Sequence, residues 1–268
     1  SDLDYLLNNN LWLSGKKNTN ILINLSHTYN YLQNNKLSGS GTISLSLKSS
    51  SIMSDYNFSQ INFSIINKSN LGNLNINTRL FAQRGFGDNF PLESMLYAAG
   101  ANPEDMMNNK YTRSMGLIPL DWTSYGNTTN TFQYGGGLNL RGYAGYFMTT
   151  DESNGDVNNY KGTSGISFNS EIEYTDLIPY LNYFGINSYV FMDAGAINDN
   201  QTEDNLSFSS LYMDAGMGFT LDISRIWGNK IKAEPLVIRI DLPLLLNKPP
   251  ANQDYFKMRC IVSLNRSF

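Results

Sequence analysis

The chain has 268 residues, a net charge of −4 and a pI near 5.0, so it offers no basic surface for nucleic acid. Charged residues are 16% and aromatics 13%, whereas soluble domains usually carry about a quarter charged residues. One histidine, His27, and one cysteine, Cys260, exclude a histidine-built metal site and an internal disulfide framework, and no apolar run is long enough for a transmembrane helix.

The N-terminal stretch SDLDYLLNNN lacks the basic and apolar regions of a signal peptide, and the chain reads as the C-terminal part of a longer polypeptide. The first regular segment comes next. Ile21, Ile23, Leu25, His27, Tyr29 and Tyr31 alternate with Leu22, Asn24, Ser26, Thr28 and Asn30, a period of two that predicts a strand. His27 falls on the apolar face as an interfacial or packed histidine, with no base-orienting partner nearby in the sequence. The same alternation returns in Ile43-Leu45-Leu47, Ile61-Phe63-Ile65 and Leu74-Ile76-Thr78-Leu80.

Residues 86–163 break the pattern. Their first part, around Gly100-Ala101-Asn102-Pro103-Glu104-Asp105 and Met106-Met107, reads as an inserted lumenal or surface segment: either a plug-like loop or the mark of a barrel that anchors another domain. Next comes YGGGLNLRGYAGY, where three glycines and an arginine suggest a phosphate cradle. Such a cradle needs a strand before it and a helix opening after it, whereas the residues after Tyr146 make a polar loop rich in Gly, Asn and Asp.

Alternation resumes in Ile166-Phe168-Ser170-Ile172-Tyr174, in Met213-Ala215-Met217-Phe219-Leu221-Ile223, in Leu236-Ile238-Ile240-Leu242 and in Met258-Cys260-Val262-Leu264. A bilayer-spanning strand needs about 9 to 11 residues with one apolar and one polar face, whereas a soluble sandwich would put Lys and Glu on its exposed face, and these are rare here. The fold class predicted is therefore all-β, an antiparallel transmembrane β-barrel of outer-membrane type spanning residues 1–268 as one domain. Val262, Leu264 and the terminal Phe268 form an alternating, aromatic-ended last strand typical of bacterial outer-membrane barrels. Counting back from it puts Tyr180, Tyr183, Phe184 and Trp227 at headgroup level on the periplasmic side. Cys260 on the lipid-facing set reads as a small hydrophobe.

Leu140-Arg141-Gly142-Tyr143 in a long loop, followed by strands carrying IEY and FMDAG, resembles the bacterial surface-antigen superfamily of BamA/FhaC-type barrels over about the last half of the chain. The resemblance implies that the loop folds back into the lumen. There Arg141, with Gly142 and Tyr143 completing the loop tip, would pair with Glu173 and Asp193. Strand parity agrees, because outward Ile172, Tyr174, Met192 and Ala194 leave Glu173 and Asp193 facing inward. In a wet lumen such a pairing would fix loop conformation and add little stability. Glu171 and Glu173 read alternatively as solvated lumen charges, which is the favoured reading for Arg239 and Asp241.

The resemblance further implies a role in outer-membrane protein assembly or protein translocation, with the seam between first and last strands templating incoming strands. An anchor for an upstream enzyme such as a metallopeptidase is the alternative. A passive pore or structural subunit of an outer-membrane complex is the third, which a loop-plugged lumen argues against. The segment itself is expected to be non-enzymatic, with no cofactor and no metal. Its expected partners are outer-membrane lipid and a polypeptide substrate or partner subunits.

Overall fold

A computed structural model describes residues 15–33, 37–108, 132–144, 146, 148–150, 157–174, 185–198, 211–222, 237–250 and 253–264. Four long strands come first: β1 (Asn20–Gln33), β2 (Leu37–Ser50), β3 (Asn57–Leu71) and β4 (Leu74–Asn89). A run of short pieces comes after them: a 3₁₀ turn (Leu92–Ser94), β5 (Leu96–Tyr97), α1 (Pro103–Asn108), β6 (Phe132–Tyr134), a 3₁₀ turn (Arg141–Tyr143), β7 (Met148–Thr150), β8 (Val157–Asn159) and β9 (Lys161–Gly162). Long strands then resume as β10 (Gly165–Tyr174), β11 (Ile186–Ile197), β12 (Tyr212–Asp222) and β13 (Val237–Leu246), ending with β14 (Ile261–Leu264).

The long strands form one ten-stranded sheet in the order β1-β2-β3-β4-β10-β11-β12-β13-β14-β6. Neighbours pair antiparallel except β6, which runs parallel to β14. The register sorts the two faces. Ile43, Ile65, Leu80 and Phe168 sit side by side across β2, β3, β4 and β10, and Ile43, Leu80 and Phe168 are 37%, 37% and 43% exposed. One residue along, Arg79, Asn169, Asp193 and Asp214 form a buried rung across β4, β10, β11 and β12. Apolar outside and polar inside is the arrangement that hydrocarbon demands of a spanning sheet. No described helix is long and apolar enough to cross a membrane.

Two irregularities have local causes. Pro243 cannot donate to a ladder, and it sits opposite Gly216, where the β12–β13 register shifts. The free edge of β14 is covered by β6, so the backbone groups there are paired. Among the described residues the sheet begins at β1 and ends at β6, and it wraps around the chain segments between β4 and β10.

Those segments hold one another by backbone bonds. Ala98 N–H donates to Tyr160 O at 2.7 Å, Leu140 N–H to Ala98 O at 2.8 Å, and Leu138 N–H to Tyr97 O at 3.0 Å. Their apolar side chains, Leu96, Leu138, Leu140, Tyr143 and Tyr160, pack onto Ile197, Tyr212 and Leu246 of the wall, so the hydrophobic core lies inside the sheet. Helix α1 is opened by Asn102, whose Oδ1 accepts from the Asp105 N–H at 2.8 Å, an N-cap geometry that asparagine favours.

Candidate functional site

The loop tip is held by Arg141. Its chain turns there because Asn139 adopts a positive φ of 55°, unique among the described non-glycine residues, and Leu140 enters a 3₁₀ turn. Arg141 is fully buried. Its Nε donates to Asp193 Oδ2 at 2.7 Å and its Nη2 to Asp193 Oδ1 at 2.9 Å, a two-pronged contact that suits a planar guanidinium. Nη1 donates to Glu171 Oε1 at 2.7 Å and lies 3.4 Å from Asp241 Oδ1. The guanidinium also stacks 3.7 Å above the centre of the Phe191 ring. Burial alone would lower the Arg141 pKa; Asp193, then Glu171 and Asp241, outweigh it and hold the group well above its ordinary value.

The surrounding wall completes the lock. Asn169 Nδ2 donates to Asp193 Oδ1 at 3.1 Å and to the loop carbonyls of Asn139 at 3.1 Å and Leu138 at 3.2 Å. Tyr189 donates its hydroxyl to Asp241 Oδ1 at 2.5 Å. Arg239 Nε lies 2.6 Å from Asp241 Oδ2 as an ion pair and donates its hydrogen bond to Ser263 Oγ at 2.9 Å. Gly142 comes so close to Asp214 and Leu246 that a Cβ there would stand 2.8 Å from atoms of both. Tyr143 donates to Asn247 Oδ1 at 2.9 Å, its ring stacked on Tyr160 and tilted against Tyr212.

Arg141, Gly142, Tyr143 and Asp193 thus stand together. The carboxylate of β10 that accepts the guanidinium is Glu171, one pleat before the expected Glu173, which is buried on the same inward face. Arg239 and Asp241, expected as solvated charges, are 1% and 0% exposed and join the network, so the site is buried where a wet, screened lumen was expected. Asp214, directly across from Asp193, and Arg79 were not singled out by sequence. Their signal was available in the parity of outward Met213 and Ala215, and of Thr78 and Leu80. Val262 lies outward of β13 opposite Ile240, Leu264 pairs with Ile238, and Phe268 lies outside the described residues, as do Tyr180, Tyr183, Phe184 and Trp227.

A second feature lies on the other side of the interior segments. A cavity of about 380 Å³ separates them from β1–β4. Wall side chains Asn24, Ser46, Lys48, Asn62 and Arg79 face Asn102, Glu104 and Asp105 across it. Lys48 is ion-paired with Glu104 and donates to Ser94 Oγ at 3.2 Å; Arg79 donates to Gly137 O at 2.8 Å and to Asn169 Oδ1 at 3.1 Å. Among the described residues no group of three or more His, Cys, Asp or Glu side chains is arranged to hold a metal.

No protein-family model matches the chain, and no curated protein does. Solved structures do. OccAB3 of Acinetobacter baumannii is 12% identical with a TM-score of 0.42, over 91% of this chain and 47% of that one. OprD of Pseudomonas aeruginosa is 11% identical with a TM-score of 0.46, over 92% and 53%, and OccK5 of the same organism is 7% identical with a TM-score of 0.40, over 92% and 52%. The chain spans about half the length of these structures. They are OprD- and Occ-type outer-membrane porins, not BamA/FhaC-type barrels, which corrects the resemblance drawn from the Arg-Gly-Tyr loop. The physical reason is that an arginine bound to carboxylates by charge-assisted hydrogen bonds is generic chemistry that a short Arg-Gly-aromatic motif cannot assign to one family. The apolar outward belt and polar inward face are those of a membrane-spanning β-barrel.

Proposed function

We propose that this chain forms the wall and the interior loop of an outer-membrane diffusion channel for small polar solutes. The observation that carries the reading is the division of the interior. Arg141 ties the loop to β10, β11 and β13, and the polar cavity of about 380 Å³ lies on the opposite side, against β1–β4. A lock that draws the loop to one wall leaves room for solute along the other, so a bound loop and a conducting lumen are compatible.

Assembly or translocation of polypeptides falls with the family resemblance that implied it. The physical basis for a templating seam is also weak, because β14, the strand expected to offer an open edge, has its backbone paired with β6. The test is planar-bilayer recording of the intact native protein in potassium chloride. Steady, stepwise current is expected. A protein that inserts and migrates as a folded barrel yet passes no current overturns the channel reading.

A further inference from the structure

The register of β1–β4 aligns side chains of one chemical kind along the cavity wall. Asn24 pairs with Ser46, Ser46 with Asn62, and Asn62 with Gln83, giving an inward rung of hydroxyl and amide groups across four strands. Neighbouring strands lie about 4.8 Å apart; within the rung Ser46 Oγ donates to Asn24 Oδ1 at 2.6 Å and Gln83 Nε2 to Thr163 O at 3.1 Å, while the Asn24 and Asn62 amides stand along the cavity at that spacing. In the adjoining rung Gln60 is 6% exposed. Its Nε2 donates to Asn62 Oδ1 at 2.9 Å, while its Oε1 has no hydrogen-bond partner among the described residues. A buried, unused acceptor beside a cavity is costly unless a ligand or water meets it.

The two cations at the cavity, Lys48 and Arg79, are already engaged, and the Asp105 carboxyl stands beside them. Lys48 is bound to Glu104, and Arg79 is bound to Gly137 and Asn169 and stacked 4.5 Å from the centre of the Phe81 ring. An anionic solute would have to displace one of these pairs. An uncharged molecule rich in hydroxyls would not, since each hydroxyl both donates and accepts, as amides do. Phe81 and Tyr97 are also part of the lining.

We infer that the Asn24–Ser46–Asn62–Gln83 rung, with Gln60 beside it, is a subsite for uncharged polyhydroxylated solutes such as small sugars and polyols. The inference rests on the channel reading, and its test separates the two. Liposomes carrying the intact native protein are swollen in D-xylose and in zwitterionic L-glutamine, solutes of similar size, while potassium chloride conductance is recorded in parallel. Xylose is expected to enter several-fold faster than glutamine. Asn62→Leu should lower the xylose-to-glutamine ratio by about fivefold, the equivalent of one net hydrogen bond. Asn24→Leu, on the terminal strand β1, provides the same test should the first variant fail to fold. Conductance with equal xylose and glutamine rates, or a ratio unmoved in a folded variant, overturns the subsite and leaves the channel standing. Absence of conductance overturns both.

Discussion

Arg141 bears the heaviest electrostatic demand of any described side chain, because it is wholly buried with Asp193, Glu171 and Asp241 around one guanidinium. Forming such a network gains little net stability after desolvation, but removing its cation leaves carboxylates buried without compensation, at a cost of about 3–5 kcal/mol. Arg141→Ala should therefore lower the temperature at which the barrel's folded gel band is lost and open the loop to protease. Arg141→Lys keeps the charge and loses the fork, so an intermediate shift is expected. A melting transition unmoved by Arg141→Ala would mean that the carboxylates find other partners. Gly142→Ala tests shape instead, since its Cβ would stand 2.8 Å from both Asp214 Cβ and Leu246 Cδ1; a loss of about 1–3 kcal/mol is expected by the same melt. At this scale sequence parity revealed which residues face inward. It could not reveal depth along the strand, so Glu173 stood where Glu171 binds, and it could not reveal that the loop's own packing buries Asp241.

At the scale of elements, β1–β4 and β10–β13 were legible because each is long and alternates with a period of two. The pieces between them were not, since β5, β6 and β9 span only two or three residues and have no period of their own. The parallel pairing of β6 with β14 joins Phe132 to Val262, nearly half the chain away, and leaves no local mark. The inside-out sorting carries its own prediction. Ile65 belongs to the outward row with Ile43 and Leu80, whereas its neighbour Ser64 lies inward between Ser44 and Phe81. Ile65→Arg should cost about 2–4 kcal/mol in lipid if the row lies near the bilayer midplane, while Ser64→Arg should fold with far less loss. Urea titration in phospholipid vesicles measures both. Equal sensitivity of the two positions would contradict the assigned faces.

For the whole molecule, composition and alternation were enough for a transmembrane β-barrel, while the family drawn from the loop motif was overturned, because Arg–carboxylate pairing is chemistry that many folds use. What distinguishes this interior is its balance of charge. The cavity has Lys48 and Arg79 on the wall, and Glu104 and Asp105 on α1, two cations against two anions. Asp105 tips that balance. Its side chain is exposed to the cavity, but protein around it limits its solvation, and this desolvation, then Glu104, push its pKa up to about 6, against the opposing pull of Lys48 and the Asn102 N–H. Above that pH Asp105 is charged and the four groups cancel; as pH falls through it, Asp105 takes up a proton and the cavity becomes net positive. Reversal potentials across a potassium chloride gradient should thus show weak selectivity at about pH 7.5 and a preference for anions at about pH 5, since a positive lining favours counter-ions. Asp105→Asn should show the anion preference at both values. A wild-type reversal potential that does not move between them would place Asp105 away from the path that ions take, whatever the solute preference of the opposite wall.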